Sequence, residues 1–411
     1  MRKLILIIVF YVLSLFVVSR NTYAIVDPLS TPNNKYGIHI IDENDLEDAS
    51  SLVNSNGGDW GYVTLVIRED ERNTLKWQTT FDKMRTLHLI PLVRLATKQT
   101  NSHWEKPDIN AVNDWVDFLN SLNWVVKNRF VIVGNEPNHA KEWGNKIDPK
   151  EYASYLKEIS VKLKEKNEDY FILNAGFDAS ALNSSDTSDE EYFIRQMIKH
   201  EPDIFEYIDG WVSHSYPNPD FSGNETDTGR GSIKTYEWEV SLLKSLGVNK
   251  DFPVFITETG WKLNAEKAVA EDKINERFLY AYKNAWTDEK IVAITPFILN
   301  YQTEPFIEFS WKKNDGSFHK HYYEIANIDK NGGDPKIDNY LLFKNIRDYS
   351  ISDNNLVLGI ALVKNVGQDI WDKVEYMNVD FNGNKHNTTL IFSDQVKPGE
   401  SRAAFYIVKN D

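Results

Sequence analysis

Two short runs far apart in the chain end in the same way. Val131-Ile132-Val133-Gly134-Asn135-Glu136-Pro137-Asn138 and Val254-Phe255-Ile256-Thr257-Glu258-Thr259-Gly260-Trp261 are both β-branched or aromatic stretches stopped by a glutamate. Buried strands of a parallel sheet read as near-continuous apolar runs, and in eight-stranded α/β barrels the chemistry collects where such strands end and the next loop opens. Two carboxyls at one mouth suit cleavage of a glycosidic bond, which needs a proton for the leaving oxygen and a nucleophile or base at the anomeric carbon. One carboxyl then has to stay protonated and the other ionised. Surroundings make that division: an apolar, desolvated spot favours the neutral acid, and a ring of donors favours the carboxylate. Pro137 turns the chain out of the strand directly after Glu136, and Gly260 follows Glu258 closely.

Placing these glutamates on one rim requires a regular scaffold, and the sequence supplies its period. Eight apolar, β-rich runs stand out: Tyr36 to Ile41, Tyr62 to Ile67, Ile90 to Leu95, Phe130 to Gly134, Tyr170 to Ala175, Gly210 to Ser215, Val254 to Thr257 and Ile291 to Leu299. Amphipathic stretches lie between them, at Leu75 to Leu87, Ile109 to Leu122, Pro149 to Lys166, Asp189 to His200, Ile233 to Leu246 and Val269 to Ala285. Asp148-Pro149 gives the third of these a cap and a first-turn proline. Such alternation predicts an α/β fold, a (β/α)8 TIM barrel over residues 25–348. An open doubly wound sheet is the competing topology, but no Gly-rich phosphate loop follows the first run. From residue 349 to 411 the helical period disappears. Leu356 to Val363, Val374 to Val379, Thr388 to Phe392 and Ala403 to Val408, with turn signals at Asn382-Gly383 and Pro398-Gly399, predict a small C-terminal antiparallel β-module. No exposed aromatic row is evident there, so a packing role is expected, with carbohydrate binding as its alternative. Asn327 to Asp338 reads as a surface loop.

The chain has 411 residues, 41% hydrophobic and 13% aromatic, enough to bury the core of a barrel and an added module. Met1-Arg2-Lys3, the apolar run Leu4 to Val18 and Thr22-Tyr23-Ala24 have the three parts of a secretory signal, which places cleavage after Ala24 and the mature protein outside the cytoplasm, secreted, periplasmic or cell-surface. The alternative is an uncleaved anchor, for which the run is slightly short. After cleavage no membrane partner is expected. Loss of Arg2, Lys3 and Arg20 leaves the remainder more acidic still than the full chain's net −15, which argues against nucleic acid as a partner and permits a neutral sugar. There is no cysteine, so neither disulfides nor thiolate chemistry enters. A monomer is the default expectation.

Asn135-Glu136-Pro137 and Thr257-Glu258-Thr259-Gly260-Trp261, in that order and at the fourth and seventh runs, resemble the signatures of the large TIM-barrel clan of retaining glycoside hydrolases, cellulase- and xylosidase-like. The resemblance covers roughly residues 30–345. It implies that Glu136 is the acid/base, that Glu258 is the nucleophile, and that Asn135 holds the sugar 2-hydroxyl. It also places a histidine or tyrosine at the end of the sixth strand, where His214 and Tyr216 stand, and an arginine bracing the nucleophile. Arg94 and Arg68 are the candidates for that arginine. An arginine inside a barrel must be paired, and Arg94 fits better because Arg68 runs into Glu69-Asp70-Glu71-Arg72.

Sugars stack their CH faces on aromatic rings, and the chain has 12 tryptophans. Trp261 is the leading platform and Trp143 a second. Related enzymes place a tryptophan at the end of the eighth strand, whereas this chain has Asn300 and Tyr301 there, so Asn300 joins the binding candidates and the sugar stays undefined. His39 ends the first run and is read equally as a sugar contact or as a core histidine. No metal signature is found, and the chemistry requires no cofactor. The function expected is retaining hydrolysis of a β-linked glycoside. A non-catalytic carbohydrate-binding barrel and a transglycosylase are the alternatives.

Overall fold

The computed structural model describes residues 25–263, 270–351, 356–381 and 384–409. The leader, Asn382-Gly383 and the start of the stretch from Val269 lie outside the described residues. Eight parallel strands alternate with helices among the described residues. They are β1 (Gly37–His39), β2 (Gly61–Arg68), β3 (Leu89–Ala96), β4 (Arg129–Val133), β5 (Tyr170–Asn174), β6 (Trp211–His214), β7 (Val254–Glu258) and β8 (Ile291–Ile294). The helices are α1 (Leu46–Val53), α2 (Thr74–Thr86), α3 (Val112–Ser121), α4 (Pro149–Lys166), α5 (Glu190–His200), α6 (Thr235–Ser245), α7 (Glu271–Tyr280) and α8 (Lys320–Ala326). Strands β1 to β5 form one sheet in chain order and β6 to β8 a second. Parallel bridges join Leu173 to Gly210 and Tyr36 to Ile294, linking β5 toward β6 and β8 toward β1.

The strands carry apolar residues on both faces because helices cover one side and neighbouring strands the other. Every residue of β5, β7 and β8 is buried. The expected eighth run extends to Leu299, but β8 stops at Ile294. Pro296 has no N–H for a ladder, and the backbone beyond it bonds across the rim instead: Leu299 N–H donates to His39 O, Phe297 N–H to Thr259 O and Ile298 N–H to Phe309 O.

The C-terminal sheet has five antiparallel strands, β9 (Leu341–Ile351), β10 (Leu356–Asn365), β11 (Val374–Phe381), β12 (Asn384–Ile391) and β13 (Ser401–Lys409), in the order β11-β12-β13-β10-β9. It begins at Leu341, within the stretch assigned to the barrel, because β9 lacks clean alternation: Leu342 and Ile346 point outward and are exposed. Alternation elsewhere buries Val379, Leu390, Tyr406 and Val408 on one face and leaves Tyr376 and Phe405 exposed on the other. Tyr376 on β11 and Phe405 on β13 are separated by β12. The module is tied to the α/β part by Gln368 Nε2 donating to Val126 O (2.8 Å) and Asn123 Nδ2 donating to Gly367 O (3.0 Å). No helix among the described residues is long and apolar enough to cross a membrane.

A buried acid pair lies behind β6. Glu190 at the start of α5 and Glu239 in α6 are both fully buried, and Trp211 Nε1 donates to Glu239 Oε2 at 2.9 Å. Burial and the mutual charge raise Glu190 well above the ordinary carboxylate range, and burial lifts Glu239 to about 7 against hydrogen bonds from Ser213 and Trp211. Arg230 and Asp178 face Glu190, and His214 faces Glu239. An acid raised in the folded state gives stability that is complete below the unfolded pKa and is lost as pH rises through the folded one. Stability therefore falls between about pH 4.5 and about 7. Thermal melts at pH 5 and pH 8 should show Glu239→Gln losing less stability over that interval than the parent, by on the order of 2 kcal/mol.

Candidate active site

The end of β4 carries Asn135 and Glu136 into the mouth of the sheet by an abrupt change of backbone. Gly134 has φ of +90°, open to glycine without penalty, and Glu136 itself has φ of +31°, a left-handed value that costs a residue with a side chain about 1–3 kcal/mol. Glu136 N–H is tied to Gly176 O at 3.0 Å, and its carbonyl accepts from His139 N–H at 2.8 Å. The kink is thus held from both directions.

Glu258, the last residue of β7, is 8% exposed and surrounded by donors. Arg94 Nη1 on β3 donates to Glu258 Oε1 at 2.6 Å, and Tyr216 OH donates to Oε2 at 3.1 Å. His214 Nδ1, at the end of β6, stands 3.0 Å from Glu136 Oε1 and 3.8 Å from Glu258 Oε2. One carboxylate oxygen of Glu136, one of Glu258 and a ring nitrogen of His214 all lie within 4.8 Å of one another. His214 reaches this position because residue 176 is glycine: a Cβ there would come within 2.1 Å of the imidazole.

The electrostatics separate the two carboxyls. Burial raises the pKa of Glu258, but the charges of His214 and Arg94, then His39 and the Tyr216 hydroxyl, outweigh it and hold the group well below the usual carboxylate range. Burial would pull the pKa of the His214 imidazole down, yet the charge of Glu258 and the hydrogen bond and charge of Glu136 outweigh it and raise it above the ordinary value. Burial, the Glu258 charge and that of Glu136 lift Tyr216 well above the ordinary phenol, which fixes it as a donor. Glu136 has fewer partners and is more open, its side chain 18% exposed against 10% for Glu258. Two carboxylates and an imidazole are also a cation's donor set, but a metal needs the imidazole neutral. Arg94 already supplies a positive charge beside Glu258.

The other candidates divide. His39 is fully buried, 3.7 Å from Glu258 Oε1 and edge-on to Phe297. Burial and Arg94 take its pKa down to about 3, which leaves a neutral buried ring beside Glu258 and not an exposed sugar contact. Arg68 does not reach the site: it pairs with Asp70 at 3.0 Å and Glu71 at 3.1 Å in the loop after β2. Trp261 is not an open platform, being 3% exposed, edge-on to Phe278 and donating through Nε1 to Gly223 O at 2.9 Å. Trp143 is 2% exposed and packs edge-on to Tyr152 and Tyr155, reaching only the wall of a side pocket with Arg94, Asn135 and Trp104. Asn300 is taken up by Asp45 Oδ1 at 3.1 Å and Gln302 Nε2 at 2.6 Å. A fully buried tryptophan spends its surface on core contacts, so the ring nearest in sequence to a catalytic group need not meet the ligand.

Residues without a signal of their own complete the rim. Glu142 accepts from Asn135 Nδ2 at 3.2 Å, and His139 Nε2 lies 2.8 Å from Asp178 Oδ2. Tyr216, Phe221, Phe297 and Phe309 form an aromatic cluster, with Phe306 against Phe297 and Tyr301 and 38% exposed. Pro137-Asn138-His139 could have flagged His139 as close to Glu136; Glu142 and the phenylalanines lie in loops without periodicity.

No model of a known protein family matches the chain, and no curated protein does. Solved structures do match. A GH39 β-xylosidase from Caulobacter crescentus is 11% identical with a TM-score of 0.50, over 93% of this chain and 97% of that one. The GH39 enzyme from Xanthomonas axonopodis pv. citri is 12% identical with a TM-score of 0.50, over 84% of this chain and 76% of that one. The structural neighbours are glycoside hydrolases of the TIM-barrel type, and this chain shares their fold.

Gly176→Ala should displace His214, lowering stability by about 1–3 kcal/mol as an overpacked core position does. A thermal melt checks it, and an unchanged melting temperature would show that the ring has room to move.

Proposed function

We propose that the chain is a retaining glycoside hydrolase acting on a β-linked glycan, built on a closed (β/α)8 barrel with Glu258 as nucleophile and Glu136 as acid/base. The bridges between the two sheets support closure. The observation that supports the mechanism is one carboxylate oxygen of Glu136 and one of Glu258 lying within 4.8 Å of each other, in unequal surroundings. Retaining enzymes hold their carboxyls about 5–5.5 Å apart, whereas inversion needs about 6.5–9.5 Å to admit a water. Glu258 attacks the anomeric carbon as Glu136 gives its proton to the leaving oxygen, and the sugar becomes esterified to Glu258. Glu136, now a carboxylate, then takes a proton from water, and that water releases the sugar with its original configuration. Arg94 and Tyr216 keep Glu258 ionised for the attack, and His214 neutralises the carboxylate left on Glu136 between the steps. The β-xylosidases that share the fold support a β-linked substrate. The leader is read as an export signal, with the N-terminal residue of the exported protein as its check.

On a cleavable aryl β-glycoside, Glu258→Gln should lower kcat at least about 10³-fold while ligand binding is kept; near-normal turnover would remove the assignment. Glu136→Gln should cost about 10²–10⁴-fold on substrates with poor leaving groups, and less in the first step on nitrophenyl glycosides, whose leaving group needs no proton. Product configuration by proton NMR decides retention against inversion. Because Tyr216 helps to lower the Glu258 pKa, activity is present above that pKa and lost as pH falls through it. Tyr216→Phe should move the acid limb of kcat/KM to higher pH; an unmoved limb would show that Tyr216 does not tune the nucleophile.

A further inference from the structure

Asn135 is gripped from both ends. Arg94 Nη1 donates to Asn135 Oδ1 at 2.6 Å while also donating to Glu258 Oε1 at 2.6 Å, and Asn135 Nδ2 donates to Glu142 Oε2 at 3.2 Å. The four side chains make one line from the nucleophile outward: Glu258, Arg94, Asn135, Glu142. Turning the amide over would set Nδ2 against the Arg94 donor and Oδ1 against the Glu142 carboxylate, two repulsive contacts in place of two hydrogen bonds. Arg94 takes one lone pair of the amide oxygen and Glu142 one Nδ2 hydrogen, which leaves the second Nδ2 hydrogen to donate to a substrate.

Glu142 is fixed well enough to act as this stop. It ends the turn Ala140–Glu142, whose backbone is tied on either side: Ala140 N–H donates to Asp186 O at 2.8 Å, Glu142 N–H to His139 O at 3.0 Å and Trp104 N–H to Lys141 O at 2.7 Å. Its carboxyl lines the side pocket together with Arg94, Asn135, Trp104 and Trp143. Burial and the charge of Glu136 raise its pKa, which places it close to the acid/base, and the Asn135 hydrogen bond opposes that rise.

We propose that Glu142 is a positioning residue, which acts through Asn135 by locking its amide as a hydrogen-bond donor to the hydroxyl beside the reacting carbon. This rests on the reading of the site as a glycosidase. The contact with that hydroxyl strengthens as positive charge develops at the anomeric carbon, so loss of the lock falls on kcat more than on KM.

The test compares an aryl β-glycoside that the enzyme cleaves with its 2-deoxy counterpart. Glu142→Met, which keeps length but removes the acceptor, should lower kcat about 10–100-fold on the hydroxylated substrate with KM little changed, and leave the 2-deoxy substrate within about threefold. Glu142→Gln keeps an acceptor oxygen and should recover most of the loss. In an Asn135→Ala background, Glu142→Met should have no further effect. Equal losses on both substrates, no loss at all, or a Gln variant as poor as Met would overturn the role. If Glu142→Met melts early, Glu142→Thr is assayed in its place on the same two substrates. A parent chain that cleaves no glycoside overturns the glycosidase reading itself, and this role with it.

Discussion

Holding an oxygen of one carboxyl within 4.8 Å of an oxygen of another in a protein interior is the constraint around which this site is organised. Like charges that close in a low dielectric cannot both remain ionised without compensation, and removing one partner of a buried pair costs several kcal/mol. Arg94 and His214 provide that compensation from strands on opposite sides of the pair. The Arg94 contact with Glu258 spans 164 residues of sequence, and His214 reaches Glu136 across 78. Both depend on strand order, since β3, β4, β6 and β7 must end at one mouth for the four side chains to meet.

The backbone is shaped to serve the same end. Glu136 occupies a left-handed conformation, and it is kept there by Gly176, whose carbonyl also binds the Glu136 amide. Gly176 therefore serves twice, admitting the His214 ring and anchoring the Glu136 backbone. Regular strands would point alternate side chains at the core and cannot by themselves aim both Asn135 and Glu136 at one ligand. The break in the strand does that. Behind β6 lies a second pair of acids, Glu190 and Glu239, and the charge of His214 acts on Glu239.

The aromatic character of the mouth differs from the one suggested by the tryptophan count. Trp143, Trp261 and Trp311 are buried against helices and loops, and Tyr216, Phe297 and Phe309, from the segments after β6 and β8, are buried too, in a small aromatic cluster that reaches Glu258 through the Tyr216 hydroxyl. Large indoles bury the most area and so are drawn into the core of a chain this size. In the C-terminal sheet a similar division leaves Tyr376 and Phe405 outward on neighbouring hairpins.

The sequence alone specified the eight buried strands, six of the seven helices between them (the short Leu46–Val53 being the exception), the antiparallel texture of the C-terminal module and the two strand-ending glutamates, because each is a local pattern of side-chain polarity. It also ranked Arg94 above Arg68, since an arginine among apolar residues needs a partner and one in an acidic loop has partners already. The start of β9 at Leu341 was hidden by outward-facing leucine and isoleucine, and β8 ended early because its backbone found partners across the rim. Only the tertiary structure decided that Trp261 packs inward, that Asn300 is spent on Asp45, and that Glu142 closes the line through Asn135 and Arg94 to Glu258. Those outcomes depend on which loops meet above the strand ends, and loop conformation follows from contacts between distant residues that leave no period in the sequence.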